Sequence, residues 1–469
     1  MARINVKRNA PNITTHEGGP AKHINTTQQL QRLVLPCLLW EDSFYVDGKT
    51  IAEQIADAVK ASPASVAAAV AIEAREKFHL RHVPLLVVRE MARLHPGTSI
   101  VGDTLARVIQ RPDEIGEFCA IYWQDAGKSK RNFGSGQPLS AQVKKGLAKA
   151  LCKFDQYQLA KYAKGGAVRL RDVMFLTQPK PGAGMEETWK RLADDEIGAA
   201  DAVSKFGHST GTWESDLSQA EAGADKATDK AQVWTEKLRS GTLGYLALLR
   251  NLRNMVQAGV DLDLIRDAIV ARKGAGRVLP FRYVAAARAV PQLEPEIDEA
   301  LCACIAEMRP LPGQTVVLAD VSGSMDARMS AKSGLNRIDA AATLASIVPG
   351  DVRVFTFSNQ TVEVPPRRGM AGVDAIKRSQ PHAGTMLGQA VSRINGLGSV
   401  DRLIVITDEQ SHDDVPDPIM GRAYMINVAA YRNGVGYGRW THIDGFSDAV
   451  LAFIAEFERT DSSGDRQEG

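Results

Sequence analysis

The stretch Thr315-Val-Val-Leu-Ala-Asp320-Val-Ser322-Gly-Ser324 constrains this chain more than any other. An uncharged run with a β-branched bias leads straight into an aspartate, and serines follow at alternate positions. Thr315 to Ala319 is too short for a helix and is apolar without alternation. It therefore reads as a strand buried on both faces of a parallel sheet. Open α/β sheets place their ligands at the C-terminal ends of such strands. Asp320, Ser322 and Ser324 offer a carboxylate and two hydroxyls there, hard oxygen donors suited to Mg²⁺ or another divalent cation. Three donors leave an octahedron incomplete, so further ligands are expected from the same domain.

Two other places offer them. Arg402-Leu-Ile-Val-Ile-Thr-Asp408 is a second apolar strand ending in an aspartate, and Thr385 follows Gly384 in the loop after Arg378–Ala383. The order Asp-x-Ser-x-Ser, loop threonine, strand-terminal aspartate resembles the metal-ion-dependent adhesion site of von Willebrand factor A domains, over residues 314–457. Around these residues the spacing predicts helix Ile338–Val348, strands Asp351–Phe357 and Thr361–Val364, and helices Val373–Ser379 and Leu387–Leu397. Strands Arg402–Asp408 and Ala423–Ala429 and a closing helix Ser447–Phe457 follow. That rhythm predicts a doubly wound, Rossmann-like sheet.

Upstream the periodicity is helical. Gln28–Leu39, Thr50–Ala61, Pro63–Phe78, Val83–Leu94, Val101–Gln110, Pro112–Ala126 and Ser140–Lys153 read as helices with short Pro/Gly punctuation and hardly any strand signal. This predicts an α-solenoid of stacked helix pairs. No fixed period supports a tetratricopeptide or ankyrin array. The fold class is thus α + α/β. Residues 183–235 form an acidic insert without recognisable chemistry.

Length and composition fit a soluble protein of two or three domains, with 469 residues, 44% hydrophobic and 24% charged. No apolar run approaches the roughly 18 residues of a membrane span, and the N-terminus lacks an apolar signal core. A cytoplasmic protein without membrane contact is expected. The five cysteines (Cys37, Cys119, Cys152, Cys302, Cys304) are odd in number and scattered, and read as reduced thiols.

The net charge of +2 hides an asymmetry, because residues 1–180 carry 26 Lys and Arg against 16 Asp and Glu. Lys128, Lys130 and Arg131 lie in a glycine-rich loop with one aromatic. Lys145, Lys149 and Lys153 fall on one helical face. With Lys161 they are candidate contacts to a nucleic-acid backbone, to which a family resemblance in the neighbouring segments adds Lys164, Arg169 and Arg171.

Several segments resemble the TROVE module of the Ro ribonucleoprotein family, which has bacterial members. They are Glu17-Gly-Gly-Pro20, Leu39-Trp-Glu-Asp-Ser-Phe-Tyr45, Leu159-Ala-Lys161-Tyr162, Leu170-Arg171-Asp172, Leu246–Met255 with its Arg250-Asn-Leu-Arg253-Asn-Met, Gly259-Val-Asp261 and Arg277-Val-Leu-Pro280. The resemblance spans most of residues 12–300, and an A domain directly after it is the order that family shows. It implies a ring of HEAT-like repeats closed by the A domain. It also implies binding of small structured Y-like RNAs and of the single-stranded ends of misfolded non-coding RNA, in a monomer partnered by an exoribonuclease such as polynucleotide phosphorylase. Two positions depart from the family pattern: Gly165 stands where an arginine is usual, and Gln178 where a histidine is usual. Arg250 and Arg253 read equally well as buried helix residues paired with acids.

A non-catalytic RNA-binding protein is the leading expectation. The rival is a metal-dependent phosphohydrolase or nuclease using Asp320 and Asp408, with Glu409 and His412 as candidate bases. Hydroxyl-rich ligation with few carboxylates favours a site completed by a partner's acid or phosphate.

Overall fold

The computed structural model describes residues 14–15, 17–21, 25–35, 48–78, 80–123, 138–165, 168–198, 226–328, 335–429, 434–445, 450–451, 454–455 and 458. The chain forms two compact units, one of residues 26–40 and 48–222, the other of residues 1–25, 41–47 and 223–469.

The first unit is helical: α1 (Thr26–Val34), α2 (Gly48–Ala61), α3 (Ala64–Glu76), α4 (His82–Leu94), α5 (Ile100–Val108), α6 (Asp113–Trp123), α7 (Ala141–Leu151), α8 (Gln156–Tyr162), α9 (Leu170–Thr177) and α10 (Glu186–Ala193). Neighbours pack in pairs (α1 on α2, α3 on α4), and each pair stacks on the next through α2 with α4, α3 with α5, and α5 with α7. This is the stacked-pair architecture that the periodicity predicts. Side-chain caps start several helices where Pro and Gly end their predecessors. Ser140 Oγ accepts from Val143 N (3.3 Å) at α7, and Asp155 with Gln158 forms a capping box at α8. Between turns, Arg75 pairs with buried Glu114 (2.5 Å), whose other oxygen accepts from the backbone of Gln110 and Arg111. Helices α5 and α7 cross where Gly102 meets Gly146; a Cβ on Gly146 would stand 2.7 Å from the Gly102 carbonyl oxygen.

The second unit begins with α11 (Lys226–Ser240), α12 (Tyr245–Gln257), α13 (Leu262–Ala271), α14 (Pro280–Ala289) and α15 (Glu294–Ala306). The sheet elements follow as β1 (Leu311–Asp320), α16 (Arg337–Ile347), β2 (Gly350–Phe357), β3 (Thr361–Val364), α17 (Gly369–Lys377), α18 (Leu387–Asn395), β4 (Arg402–Thr407), β5 (Arg422–Asn427) and β6 (Thr441–Asp444). Strand order is β3-β2-β1-β4-β5-β6, parallel except for the edge strand β3. Both faces of β1 and β4 are covered, which is why their sequences are apolar without alternation. Val316 and Leu318 join Leu387, Val391 and Ile394 of α18 in one apolar cluster. From β1 the chain moves out to β2 on one side and returns to β4 on the other. The C-terminal ends of β1 and β4 therefore flank the crevice where such sheets hold ligands.

Two expectations meet differences. Helices α11–α15 were grouped with residues 12–300, yet they lie in one compact unit with the sheet. Asp298 accepts from Met370 N (2.7 Å) and Arg288 pairs with Asp374, so α15 and α14 are fastened to α17. Arg250 and Arg253, for which burial was one of two readings, are exposed; the motif buries Leu252, Met255 and Asn251, whose amide donates to the Ala247 carbonyl (2.9 Å). The predicted closing helix lies largely outside the described residues.

The far end of the sheet is held by a buried charge. Arg402, fully buried at the start of β4, donates through Nε to Glu458 (2.6 Å), and through Nη1 to Thr315 Oγ1 (2.7 Å) and the Pro312 carbonyl (3.1 Å). Glu458 also accepts from Tyr424 OH (2.9 Å). Glu458→Ala should cost about 3–5 kcal/mol, the scale for a buried charge stripped of its partner. Urea unfolding of the full chain measures it, and a loss under ~1 kcal/mol would refute the role assigned to this pair.

Candidate metal centre and basic face

Asp320 ends β1 and Asp408 directly follows β4, so strand geometry alone places their carboxylates side by side. Both are completely buried, as is Ser322, and Ser324 and Thr385 are buried too. Asp320 is fixed at both oxygens, Oδ1 accepting from Ser322 N (2.9 Å) and Oδ2 from Thr407 Oγ1 (2.6 Å). The hydroxyls of Ser322 and Ser324 stand 3.3 Å apart, and Gln410 N donates to Asp408 Oδ1 (3.3 Å). Thr385 is carried to the same place by its loop. Gly323 N donates to Ala383 O (2.9 Å), His412 N donates to Thr385 O (3.0 Å), and Ala383 N is held by Ser358 Oγ (2.8 Å).

The electrostatics call for a cation. Burial, and then the neighbouring Asp408 charge, push Asp320 up to about 7. Burial raises Asp408 as well, while the Arg337 guanidinium opposes the rise. That guanidinium is 3.6 Å from Asp408 Oδ2, too long for a hydrogen bond, and Oδ2 is buried without a hydrogen-bond partner. Of the two buried carboxylates only Asp408 faces an arginine, and one of its oxygens is orphaned. An oxygen-rich site with a missing positive charge fits a hard divalent cation. Asp320, Ser322, Ser324, Thr385 and Asp408 are the side chains that could hold it.

Of the two candidate bases, Glu409 is engaged elsewhere and His412 is held by the Thr385 backbone. Glu409 adopts a left-handed backbone (φ 61°) and buries its carboxylate on the other side. There Oε2 accepts from Val435 N and Gly436 N, both at 2.9 Å, and Oε1 pairs with His442. Burial alone would lower the His442 imidazole, but Glu409 and Asp444 raise it to about 10. The Glu409–His442–Asp444 group is thus an internal ion triad; a metal there would have to displace a tightly held proton. His412 Nδ1 accepts from Thr385 N (3.0 Å), which fixes that nitrogen as unprotonated and Nε2 as the N–H. Neither residue is placed to activate a nucleophile.

The basic candidates divide. Lys128, Lys130 and Arg131 lie outside the described residues. Lys145 is exposed on α7. The close α5–α7 crossing puts the rest of that stripe to structural use. Lys149 meets Asp103 at 2.5 Å, and Lys153 donates to the Ala106 and Ile109 carbonyls (2.6 and 2.5 Å), capping the C-terminus of α5. Lys149 makes its contact from a largely exposed side chain, whereas the Lys153 ammonium is half-buried. Their ammonium groups are engaged, and desolvation lowers Lys153.

The remaining candidates sit among aromatics. Lys161 and Arg111 both lie over the Tyr162 ring (5.7 and 5.5 Å), with Arg111 Nη2 donating to Tyr162 OH (3.1 Å). Arg171 lies over Phe175 (5.6 Å), a ring left 56% exposed. Arg169 and Arg171 face Asp195 at 3.2 and 3.9 Å, and Lys164 lies exposed against Gly198. Sequence reasoning missed Arg111, Tyr162 and Phe175. An aromatic beside each basic residue was the available signal.

Comparison with known proteins agrees with this architecture. The family model for the TROVE domain matches residues 204–324, ending within the Asp320–Ser324 loop. Mouse telomerase protein component 1 is 28% identical over 112 residues, which are 23% of this chain and 4% of that protein. The crystal structure of the Deinococcus radiodurans RO (RSR) protein superposes with a TM-score of 0.57, covering 92% of this chain and all of that one at 18% identity. That likeness establishes the fold: helical repeats followed by a von Willebrand factor A-like sheet domain. The chain thus contains a region that matches the TROVE domain model, and it shares its fold with a Ro protein.

Proposed function

We propose that the chain is a non-catalytic RNA-binding protein whose sheet domain carries a divalent-cation docking site. The observation that carries the RNA reading is Phe175, a large ring kept mostly in solvent beneath Arg171, with Lys161, Tyr162 and Arg111 forming a second cation–aromatic group. Exposed rings beside guanidinium and ammonium groups suit nucleic acid, since bases stack on the rings while the cations meet phosphates. On the family resemblance the RNAs are small Y-like RNAs and the single-stranded ends of misfolded non-coding RNA. A cytoplasmic monomer handing them to an exoribonuclease completes the reading. Among the described residues no helix is long and apolar enough to cross a membrane.

For the sheet domain we infer Mg²⁺ as the cation, held by Asp320, Ser322, Ser324, Thr385 and Asp408. Bound there, it would supply a Lewis-acidic point at which an acidic group docks. The orphaned Asp408 Oδ2 and the shortage of positive charge support it. The sequestration of Glu409 and the fixed tautomer of His412 favour docking over hydrolysis.

Salt dependence tests the RNA reading. Lys161→Ala with Arg171→Ala should weaken binding to many RNAs and flatten the slope of log K against log salt by about 1.4–1.8, two phosphate contacts' worth. Phe175→Ala should cost about 1–3 kcal/mol on single strands. Labelled RNA should stay intact with Mg²⁺ present. An unchanged slope, or cleavage abolished by Asp320→Ala, would contradict the proposal.

The metal reading has a pH signature. Metal-free Asp320 holds its proton more tightly folded than unfolded, so its contribution to stability is present near pH 4 and lost as pH rises toward 7. A cation replaces that proton. The rise in Tm on adding Mg²⁺ should therefore be larger at about pH 8 than at about pH 5. An equal rise at both would count against a cation on Asp320.

A further inference from the structure

The turn after α10 brings an acid to the basic face. Asp194 N donates to Lys190 O (2.9 Å), Asp195 N to Leu192 O (3.3 Å) and Glu196 N to Arg191 O (2.9 Å), so the chain folds back tightly on the end of the helix. Arg191 Nη2 closes the turn on the Glu196 carbonyl (3.1 Å), and fully buried Ile197 anchors its exit. Asp195 holds the corner with a left-handed backbone (φ 60°), a conformation that aspartate and asparagine take more readily than other side-chain-bearing residues. From that corner Oδ2 stands 3.2 Å from Arg169 Nη1 and 3.9 Å from Arg171 Nη1. Just beyond it, Gly198 lies along the Lys164 side chain, where a Cβ would meet Cδ and Cε at 3.5 Å. Asp172, the acid next to these arginines in sequence, is used otherwise: its Oδ2 accepts from Arg169 N (3.3 Å) at the start of α9. One carboxylate oxygen from the acidic insert thus faces two guanidiniums, and one of these, Arg171, also lies over the exposed Phe175 ring.

We propose that Asp195 is a built-in competitor for RNA phosphate. Its carboxylate takes the place beside Arg169 and Arg171 that a backbone phosphate would occupy, and the turn after α10 thereby sets the strength of RNA binding. The inference rests on the RNA reading above and deepens it, since it names how that face is regulated. Carboxylate and phosphate oxygens accept from guanidinium groups in the same way, so they compete for one set of donors. The acid is tied to the fold, yet its hold is light. The three side chains are 34–50% exposed, and the 3.9 Å contact is too long for a hydrogen bond. Exposed pairs of this kind contribute little, whereas an RNA strand brings several phosphates at once and can displace the acid. Arg171, once released by Asp195, stays over Phe175, so a phosphate and a stacked base are met at adjacent points. The acidic insert gains a role by this contact: it screens the arginines against weak polyanions and yields to a strand that also fills the aromatic positions.

Fluorescence anisotropy of a labelled oligouridylate, titrated with the full-length chain over a salt series, tests this. Asp195→Asn keeps the left-handed corner and the side-chain shape and loses the charge. It should tighten binding about two- to fivefold at low salt, the scale of an exposed ion pair, and steepen the slope of log K against log salt by about 0.7, one single-strand phosphate contact's worth. Asp194→Asn, an exposed neighbour on the same turn, changes the net charge equally and should give much less. Arg169→Ala with Arg171→Ala should weaken binding and cancel the gain from Asp195→Asn. An equal gain in Asp194→Asn, or a gain that survives without the arginines, would overturn the competition. So would an absent gain in Asp195→Asn while loss of the arginines weakens binding, and that result would leave the RNA reading standing. Binding indifferent to both arginines, with or without Asp195→Asn, would overturn the RNA reading of this face and the competition with it.

Discussion

Two carboxylates, Asp320 and Asp408, stand buried side by side at the ends of adjacent parallel strands, and much of the sheet domain is arranged around that fact. Parallel pairing of β1 with β4 brings the strand ends together, and the topology leaves a crevice there. Thr407 and the Ser322 amide fix one acid and the Gln410 amide the other, while Arg337 stands 3.6 Å from Asp408. A buried charge pair of one sign persists only if something else in the native state repays the desolvation. On the reading proposed above, the oxygen-lined, hydroxyl-rich surroundings suit a hard cation in that role.

The opposite end of the same strands shows the complementary solution. Arg402 and Glu458 are also buried charges, but of opposite sign and fully hydrogen-bonded, so the chain closes that end by itself. The sheet is thus satisfied internally where its strands begin, while past the ends of β1 and β4 an Asp408 oxygen is left without a hydrogen-bond partner. Chemistry is expected at the unsatisfied end. The Glu409–His442–Asp444 triad, one loop away, sharpens the contrast, because there a captured proton completes the charge balance.

Much of this was legible in the sequence for a definite reason. β1 and β4 are covered on both faces, so their apolar runs carry no ambiguity of register, and the ligands stand at their ends. Edge strand β3 was placed at its observed residues, Thr361–Val364. What was not legible depended on contacts across the fold. The lysine stripe of α7 is a local pattern, but the Gly102–Gly146 approach that turns Lys153 into a helix cap is not. The left-handed turn at Glu409 reverses the direction its side chain takes relative to Asp408, and nothing adjacent in sequence announces it. Glu17 stood in a recognised motif, yet its place beside His412 requires the two ends of the chain to meet. Assigning helices α11–α15 to one unit or the other likewise depended on pairs such as Arg288 with Asp374.

The central claim is that the Asp320–Asp408 pair exists to hold a divalent cation. Anomalous diffraction from crystals of the full chain grown with Mn²⁺ tests it most directly. The account predicts one strong peak bounded by Asp320, Ser322, Ser324, Thr385 and Asp408, at roughly the 2.0–2.3 Å spacing of small divalent cations from oxygen. A crevice without that peak, with Asp408 Oδ2 drawn into a direct hydrogen bond with Arg337 instead, would contradict it.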